Sequence, residues 1–163
     1  MFGQKKNLNN IYGGLKAKNN GDYFERILET KCMREQITFV KIPSGCKWVR
    51  TNVGVRPVPV KTPFDFVMCK DGKSVYFDAK CVSTNTFSHS KLKGHQIDKL
   101  FEIEQQNFIA GYIIHFKEEN KIVFFTSSTL KNLKPRHSLN SECGLFLGSV
   151  ESFSLIPLLM LGV

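Results

Sequence analysis

The chain has 163 residues, of which 42% are hydrophobic and 23% charged, and its formal net charge is +9. This size and composition predict one globular domain that buries a core without disulfide or metal supports. The first ten residues lack the apolar run of a signal peptide, and the apolar segment 155–161 is far too short to span a bilayer. We therefore expect a cytoplasmic protein, with segment 155–161 in the core or at a dimer contact.

The positive charge is concentrated in two segments. Residues 1–20 and 41–61 contain lysines and arginines but no acidic residue, and their nine cations equal the whole net charge. The five cysteines form no C-x-x-C pair, and an odd, scattered set suits a reducing compartment. Two basic segments on a neutral body favour a polyanionic partner, most plausibly nucleic acid. A generally basic, solvated surface is the alternative.

The N-terminal part divides into a basic arm and a helix. Residues 1–20 are rich in Asn, Gly and Lys, which predicts a flexible arm, although an ordered lead-in is the alternative. From residue 21 to about residue 36, Phe24, Ile27 and Leu28 recur at helical spacing. Glu25 lies beside this apolar stripe, where the helix dipole also favours an ordinary first-turn acid.

A strand over residues 37–42 is followed by a basic segment with little to bury. Residues 46–61 combine Trp48 with several cations and two prolines, Pro57 and Pro59, which exclude a central strand there. We expect an extended arm or ribbon, and an ordinary edge hairpin with solvated charges is the alternative.

Residues 62–81 predict a β-hairpin. Two short apolar runs, 64–68 and 75–79, flank an Asp71-Gly72 pair of the kind that forms tight hairpin turns. The chain is expected to fold back on itself at this turn.

Three charged residues lie within this apolar hairpin. Asp78 and Lys80 are two residues apart on one strand, so their side chains point to the same face. The fold-back brings Asp65 alongside them. Burying two carboxylates and an ammonium is costly unless they pair or bind a metal, so chemistry is the better explanation for the cluster.

The rest of the chain predicts mostly core elements. A polar loop containing Phe87 precedes an amphipathic helix over residues 95–109. Strands are expected over 112–116 and 122–125, and a short helix with a Ser/Thr cap over 126–133. No chemistry is assigned to the irregular remainder.

In this order the features resemble the PD-(D/E)XK nuclease signature: Asp65, then Asp78-Ala79-Lys80 after a hairpin, with Glu25 on an upstream helix. The pattern TPFDF…YFDAK…F…L…HQI…L over residues 21–126 is similar in particular to the RecU-type Holliday junction resolvases. The resemblance implies an α/β fold with a restriction-endonuclease-like core, in which helices flank a mixed central sheet. It also implies a projecting basic stalk at residues 46–61, and a nuclease domain over 21–163 preceded by the arm.

The resemblance also implies roles for individual residues. The implied catalytic residues are Glu25, Asp65, Asp78, Lys80 and Gln96. The implied ligands of Mg²⁺ or Mn²⁺ are Asp65, Asp78 and the backbone carbonyl of Ala79, or that of Cys81. Expected DNA contacts are Lys47, Arg50, Arg56, Lys61, Lys91 and Lys93. The expected partner is branched or double-stranded DNA, and two coordinated nicks would need a C2 homodimer.

Two other functions remain open. The chain could be a different nuclease of the same superfamily, restriction-like or repair-related, acting on duplex or flapped DNA. It could also be a non-catalytic DNA-binding protein on the same fold, although intact Asp65, Asp78 and Lys80 argue against that. RNA binding has little support, because no aromatic-rich strand of the RNP type is present.

Overall fold

The computed structural model describes the backbone of residues 8–161 and the side chains of residues 21–161. The helices are α1 Leu8–Arg34, α2 Gly94–Glu104, α3 Ser127–Lys131 and α4 Ile156–Met160. The strands are β1 Thr38–Lys41, β2 Cys46–Thr51, β3 Gly54–Pro59, β4 Phe66–Lys70, β5 Lys73–Val82, β6 Thr86–Ser88, β7 Ile109–Phe116, β8 Lys121–Thr126, β9 Ser138–Asn140 and β10 Leu145–Gly148.

The central sheet has six strands in the order β1-β4-β5-β7-β8-β10. Its inner pair, β5 and β7, runs parallel, whereas the other neighbouring strands are antiparallel. Parallel neighbours need a long crossover, and here the chain between them forms β6 and α2. The mixed sheet flanked by helices confirms the predicted fold class.

Alternation along β5 gives the two faces of the sheet different roles. Val75 and Phe77 pack into one core with residues of α1 and α4. Tyr76 and Val82 pack into a second core with residues of α2 and α3. The even-numbered side chains therefore face α2, and Asp78 and Lys80 belong to that set.

Helix α1 begins at Leu8, upstream of the start predicted at residue 21. Propagating an existing helix adds one hydrogen bond per residue without a new nucleation cost, so a well-packed segment can extend into Asn- and Gly-rich sequence. The predicted boundary at residue 20 thus falls inside a helix. Residues 1–7 of the predicted arm lie outside the described residues, and both its flexibility and the single domain over 21–163 stay predictions.

The predicted hairpin is confirmed in both its strands and its turn. Strands β4 and β5 pair from Phe66↔Phe77 to Lys70↔Lys73, leaving a two-residue loop. In that loop Asp71 has a φ of 50° and Gly72 a φ of 76°, which are the left-handed values that a type I′ turn requires. The Asp-Gly pair therefore fixes which residues of the two strands face each other.

The later elements largely follow the sequence pattern. Helix α2 ends at Glu104, earlier than the predicted residue 109, and Asn107 turns the chain with a φ of 64° before β7 begins. In the segment 155–161, Leu155, Leu158 and Leu159 are buried, which confirms the core interpretation. No helix in the described part of the chain is long and apolar enough to cross a membrane.

Candidate active site

Asp78 is a carboxylate buried in the middle of the sheet. Its strand, β5, lies between β4 and β7, and its side chain is fully shielded from solvent. Lys80 donates a hydrogen bond to Asp78 Oδ1 from its Nζ, at 2.6 Å. The predicted common face of these two side chains is confirmed, and the pair offsets part of the cost of burying the charge.

Asp65 precedes β4 and belongs to the same cluster. Thr62 donates a hydrogen bond to Asp65 Oδ1 at 3.1 Å, and Gln96 Nε2 donates to the same oxygen at 3.4 Å. The backbone of Asp65 is also fixed, because its carbonyl accepts the N–H of Ile42 at 2.8 Å. Asp65 is thus held by the residue that follows β1, by its own loop and by α2.

The two carboxylates influence each other's protonation. Burial is the largest cause that raises the pKa of Asp78, to about 6, and the charge of Asp65 raises it further. The neighbouring Lys80 ammonium opposes both effects. Strand pairing gives the same placement: Phe66 pairs with Phe77, so Asp65 and Asp78 are the next residues along the two chains and lie close together, as the hairpin predicts.

The residues present fit a hard divalent cation. Asp78 Oδ2 is buried and accepts no hydrogen bond, so it is an oxygen with a free lone pair beside a second carboxylate. Pairing of β4 with β5 ends at Phe66↔Phe77, so the chain around Ala79 lies past the last β4 contact. Across residues 21–161 no cluster of three or more His, Cys, Asp or Glu side chains could hold a metal. Magnesium retains several waters, so two carboxylates and a backbone carbonyl form an adequate ligand set.

Glu25 lies at one side of this cluster. Glu25 Oε2 forms an ion pair with Lys41 Nζ at 2.5 Å, and both residues line a cavity of about 420 Å³ beside Phe66. The hydrogen bond with Glu25 is the largest cause that raises the pKa of Lys41, and the negative charge of Asp65 raises it by a smaller amount. Among the described side chains, no hydrogen bond joins Glu25 to Asp65 or Asp78. The structure thus links Glu25 to the carboxylates through Lys41.

Gln96 lies in the first turn of α2 and is buried, with 1% of its surface exposed. Its amide nitrogen contacts Asp65, and its carbonyl oxygen accepts a hydrogen bond from the hydroxyl of Tyr112 at 3.4 Å. The structure therefore brings together Asp65, Asp78, Lys80 and Gln96, as predicted. The side chain of Gln96 is enclosed by the protein and does not lie at the surface.

The basic segment forms a separate two-stranded ribbon, β2–β3, with register Cys46↔Pro59 to Thr51↔Gly54. Its residues are exposed or half-buried on both faces, and the side chain of Trp48 is 70% exposed. Both ends of the ribbon return to the neighbourhood of the carboxylates, since Ile42 contacts the Asp65 carbonyl. The predicted projecting ribbon is present, and it begins beside the candidate site.

The predicted DNA contacts occupy two surfaces. Lys47, Arg50 and Arg56 lie on the ribbon, and Lys61 lies at its base. Lys91 and Lys93 lie in the turn before α2, close to Gln96. All six are exposed, and none forms an ion pair with another described residue. Unpaired surface cations are available to phosphates, but the assignment itself stays a prediction.

Three contributors to the site escaped the sequence pattern. Thr62 and Tyr112 contact site residues, and Lys41 pairs with Glu25. Tyr112 was assigned only to a core strand. Tyr112 reaches the site because it pairs with Asp78 across the parallel strands β5 and β7. No sequence signal specifies which strand lies next to β5. Thr62 precedes Asp65 by three residues, a local spacing that could have been recognised.

Comparisons with known proteins bear on the fold and on the family. Hjc of Archaeoglobus fulgidus, described as a Holliday junction resolvase from an archaeal hyperthermophile, matches 77% of this chain and 95% of its own, with a TM-score of 0.55 and 14% identity. That likeness shows the restriction-endonuclease-like fold. No curated protein sequence matches this chain significantly. The sequence model of the family described as "Recombination protein U" (RecU) matches residues 33–142. This range contains β1 through β9 with Asp65, Asp78 and Lys80, and the chain therefore belongs to the RecU family.

Proposed function

We propose that this protein is a metal-dependent DNA endonuclease that resolves Holliday junctions by paired symmetric nicks. Family membership and the fold shared with a protein described as a junction resolvase support this assignment. The observation that carries the chemistry is the buried Asp78: Lys80 binds its Oδ1, its Oδ2 has no hydrogen-bond partner, and the charge of Asp65 raises its pKa. Burying a carboxylate costs free energy, and a buried carboxylate with a raised pKa is typical of a functional site.

Asp65 and Asp78, with the backbone carbonyl of Ala79, would hold Mg²⁺ or Mn²⁺. When bound, such an ion would lower the pKa of a water and neutralise charge on the phosphate. Thr62 and Gln96 orient Asp65, so its carboxylate is set before a ligand arrives. These residues would bind the ion with little rearrangement.

Lys80 is placed to act on the reacting phosphate. Its ammonium is held by Asp78, and its side chain is 22% exposed, so it can reach a bound strand. During hydrolysis the oxygen of water bonds to phosphorus, one phosphodiester P–O bond breaks, and the leaving oxygen takes up a proton. Lys80 would orient that water or stabilise the negative charge that develops on the phosphate. Glu25 would contribute indirectly, through Lys41.

The exposed cations would hold the DNA. Ile42, which precedes the ribbon, and Gln96, which follows the turn before α2, both contact Asp65, so phosphates bound on these two surfaces would lie near the site. Two nicks in a four-way junction need two sites, which we assign to a C2 homodimer. The contact between the copies and the cytoplasmic location stay predictions.

The test is incubation with a synthetic four-way junction and a linear duplex of matched sequence. We expect junction cleavage with Mg²⁺ or Mn²⁺, far less duplex cleavage, and none with a chelator. Equal cleavage of both substrates would favour another PD-(D/E)XK endonuclease. Junction binding without cleavage in any divalent metal would favour a non-catalytic DNA-binding protein.

A further inference from the structure

We infer that Tyr112 is a positioning residue of the site: its buried hydroxyl fixes the Gln96 amide in the orientation that binds Asp65. This inference rests on the proposed nuclease function, and it adds a residue that neither the motif nor the family assignment names. Three kinds of contact connect the Tyr112 side chain to the site: strand pairing, hydrogen bonds and a cation–π contact.

The first contact follows from strand pairing. Asp78 and Tyr112 are register partners on β5 and β7, which run parallel, so their side chains lie next to each other on the same face. Tyr112 is fully buried, and the edge of Phe87 packs against its ring at a centroid distance of 6.2 Å. Phe87 is itself fully buried, and its packing leaves the tyrosine ring little freedom.

The second contact sets the orientation of an amide. Tyr112 donates its hydroxyl hydrogen to Gln96 Oε1 at 3.4 Å, and Gln96 Nε2 donates to Asp65 Oδ1 at 3.4 Å. An amide flipped by 180° would point its oxygen at the Asp65 carboxylate and its nitrogen at a hydroxyl that is donating. Both distances are long, as catalytic hydrogen bonds often are before substrate binds.

The hydroxyl has a second partner that fixes its direction. The backbone N–H of Lys93 donates to the Tyr112 oxygen, so the hydroxyl hydrogen is directed elsewhere, towards Gln96. Lys93 is the residue before α2, and Gln96 lies in the first turn of that helix. Tyr112 thereby joins the start of α2 to the sheet at the level of Asp78.

The third contact involves the catalytic lysine candidate. Lys80 Nζ lies 5.4 Å from the centroid of the Tyr112 ring, within the range of a cation–π interaction. The same ammonium donates to Asp78 at 2.6 Å. Tyr112 thus contacts both Gln96 and Lys80, and through Gln96 it acts on Asp65.

Tyr112→Phe tests the hydroxyl alone, because the ring and its contacts with Lys80 and Phe87 remain. We expect the single-turnover cleavage rate of a four-way junction to fall about 10-fold, the lower end of the range for direct partners of a metal ligand, because Tyr112 acts on Asp65 through Gln96. Junction affinity measured with Ca²⁺ should stay within about twofold. Tyr76→Phe is the matched control. Tyr76 lies on β5, on the same face of the sheet as Tyr112, and packs against Phe64 and Phe108. This variant should keep the parent rate.

A double-mutant cycle separates positioning from general structural damage. If Tyr112 acts through Gln96, Tyr112→Phe should cost less than about twofold in a Gln96→Ala background. The same rate loss in both backgrounds, or no loss in the parent background, would overturn the inference.

A spectroscopic readout keeps the inference separate from the proposed function. The side-chain amide protons of Gln96, assigned by their absence in Gln96→Ala, should exchange slowly in the parent and rapidly in Tyr112→Phe. If the parent cleaves no DNA but this difference is seen, the proposed function fails and the positioning contact holds. If exchange is equal in the two proteins, the positioning contact itself is refuted.

Discussion

The hairpins β4–β5 and β2–β3 both carry charged side chains: the first buries one of them, whereas the second exposes all of them to solvent. In β4–β5, Asp78 is completely shielded from water and depends on Lys80 for compensation. In β2–β3, Lys47, Arg50 and Arg56 extend into solvent without an ion pair to any described residue. A buried carboxylate is costly, whereas a solvated arginine costs almost nothing. The first hairpin has the features of a reaction centre and the second those of a binding surface.

Because the two hairpins differ in this way, their functions should separate in mutants. A change in β4–β5 is expected to alter cleavage and stability with little effect on DNA affinity. A change in β2–β3 is expected to alter affinity and its salt dependence with little effect on the chemical step.

The largest expected effect belongs to Asp78→Asn. The variant keeps the shape of the side chain but loses the charge that would hold a metal, so we expect single-turnover junction cleavage to fall about 10²- to 10³-fold or more. Junction affinity in Ca²⁺ should change less than about threefold. Asp71→Asn is the control, because Asp71 is exposed at the hairpin turn and asparagine tolerates its positive φ. Comparable cleavage by Asp78→Asn and the parent would place the site elsewhere.

Asp78 should also make the metal-free protein less stable as the pH rises. Its pKa is raised from 3.8 to about 6, so the folded state binds more protons than the unfolded state between these values. The stability present below pH 3.8 is therefore lost as the pH rises through about 6.

This pH effect can be measured by urea unfolding in EDTA. Asp78→Asn should match the parent near pH 4 and exceed its free energy of unfolding by on the order of 1–3 kcal/mol at pH 8. Adding Mg²⁺ at pH 8 should stabilise the parent more than the variant. A stability difference that is constant with pH would show that the Asp78 carboxylate is not the cause.

A role of β2–β3 in DNA binding can be tested with Arg50→Ala/Arg56→Ala. If both arginines contact phosphates, junction affinity in Ca²⁺ should fall about tenfold at moderate salt, and the slope of log K against log salt should decrease by about 2. Cleavage at saturating enzyme should be nearly unchanged. Arg34→Ala/Lys73→Ala removes the same charge at the opposite end of the sheet and should leave the slope unaltered. An equal loss of slope in both pairs would point to general electrostatics.

The smallest effect is expected from Glu25→Gln. We expect a several-fold lower cleavage rate and less than about 1 kcal/mol of lost stability, since the Lys41 side chain is 60% exposed and the ion pair is screened by solvent. Glu29→Gln is the control, because Glu29 is on the same helix and lines the same cavity. If Lys41→Ala reproduces the loss and the double variant adds nothing, Glu25 acts through Lys41. A rate equal to that of Glu29→Gln would remove Glu25 from the site.

Local features of this protein were predictable because the chain itself specifies them. The Asp71-Gly72 turn and the alternation of β5 are enough to place Asp78 and Lys80 on one face and Asp65 nearby. Prolines and cations in residues 46–61 likewise exclude a central strand and predict an exposed ribbon. In each case the information lies within about twenty residues of sequence.

Contacts between distant segments were decided only by the tertiary structure. Glu25 meets Lys41, and Tyr112 meets Gln96 and Lys80, because α1, β1, β7 and α2 pack around one hairpin. Neither the order of strands in the sheet nor the start of α1 is encoded by a local pattern. Sequence periodicity determines which way a side chain points, but the packing of the whole chain determines what it meets there.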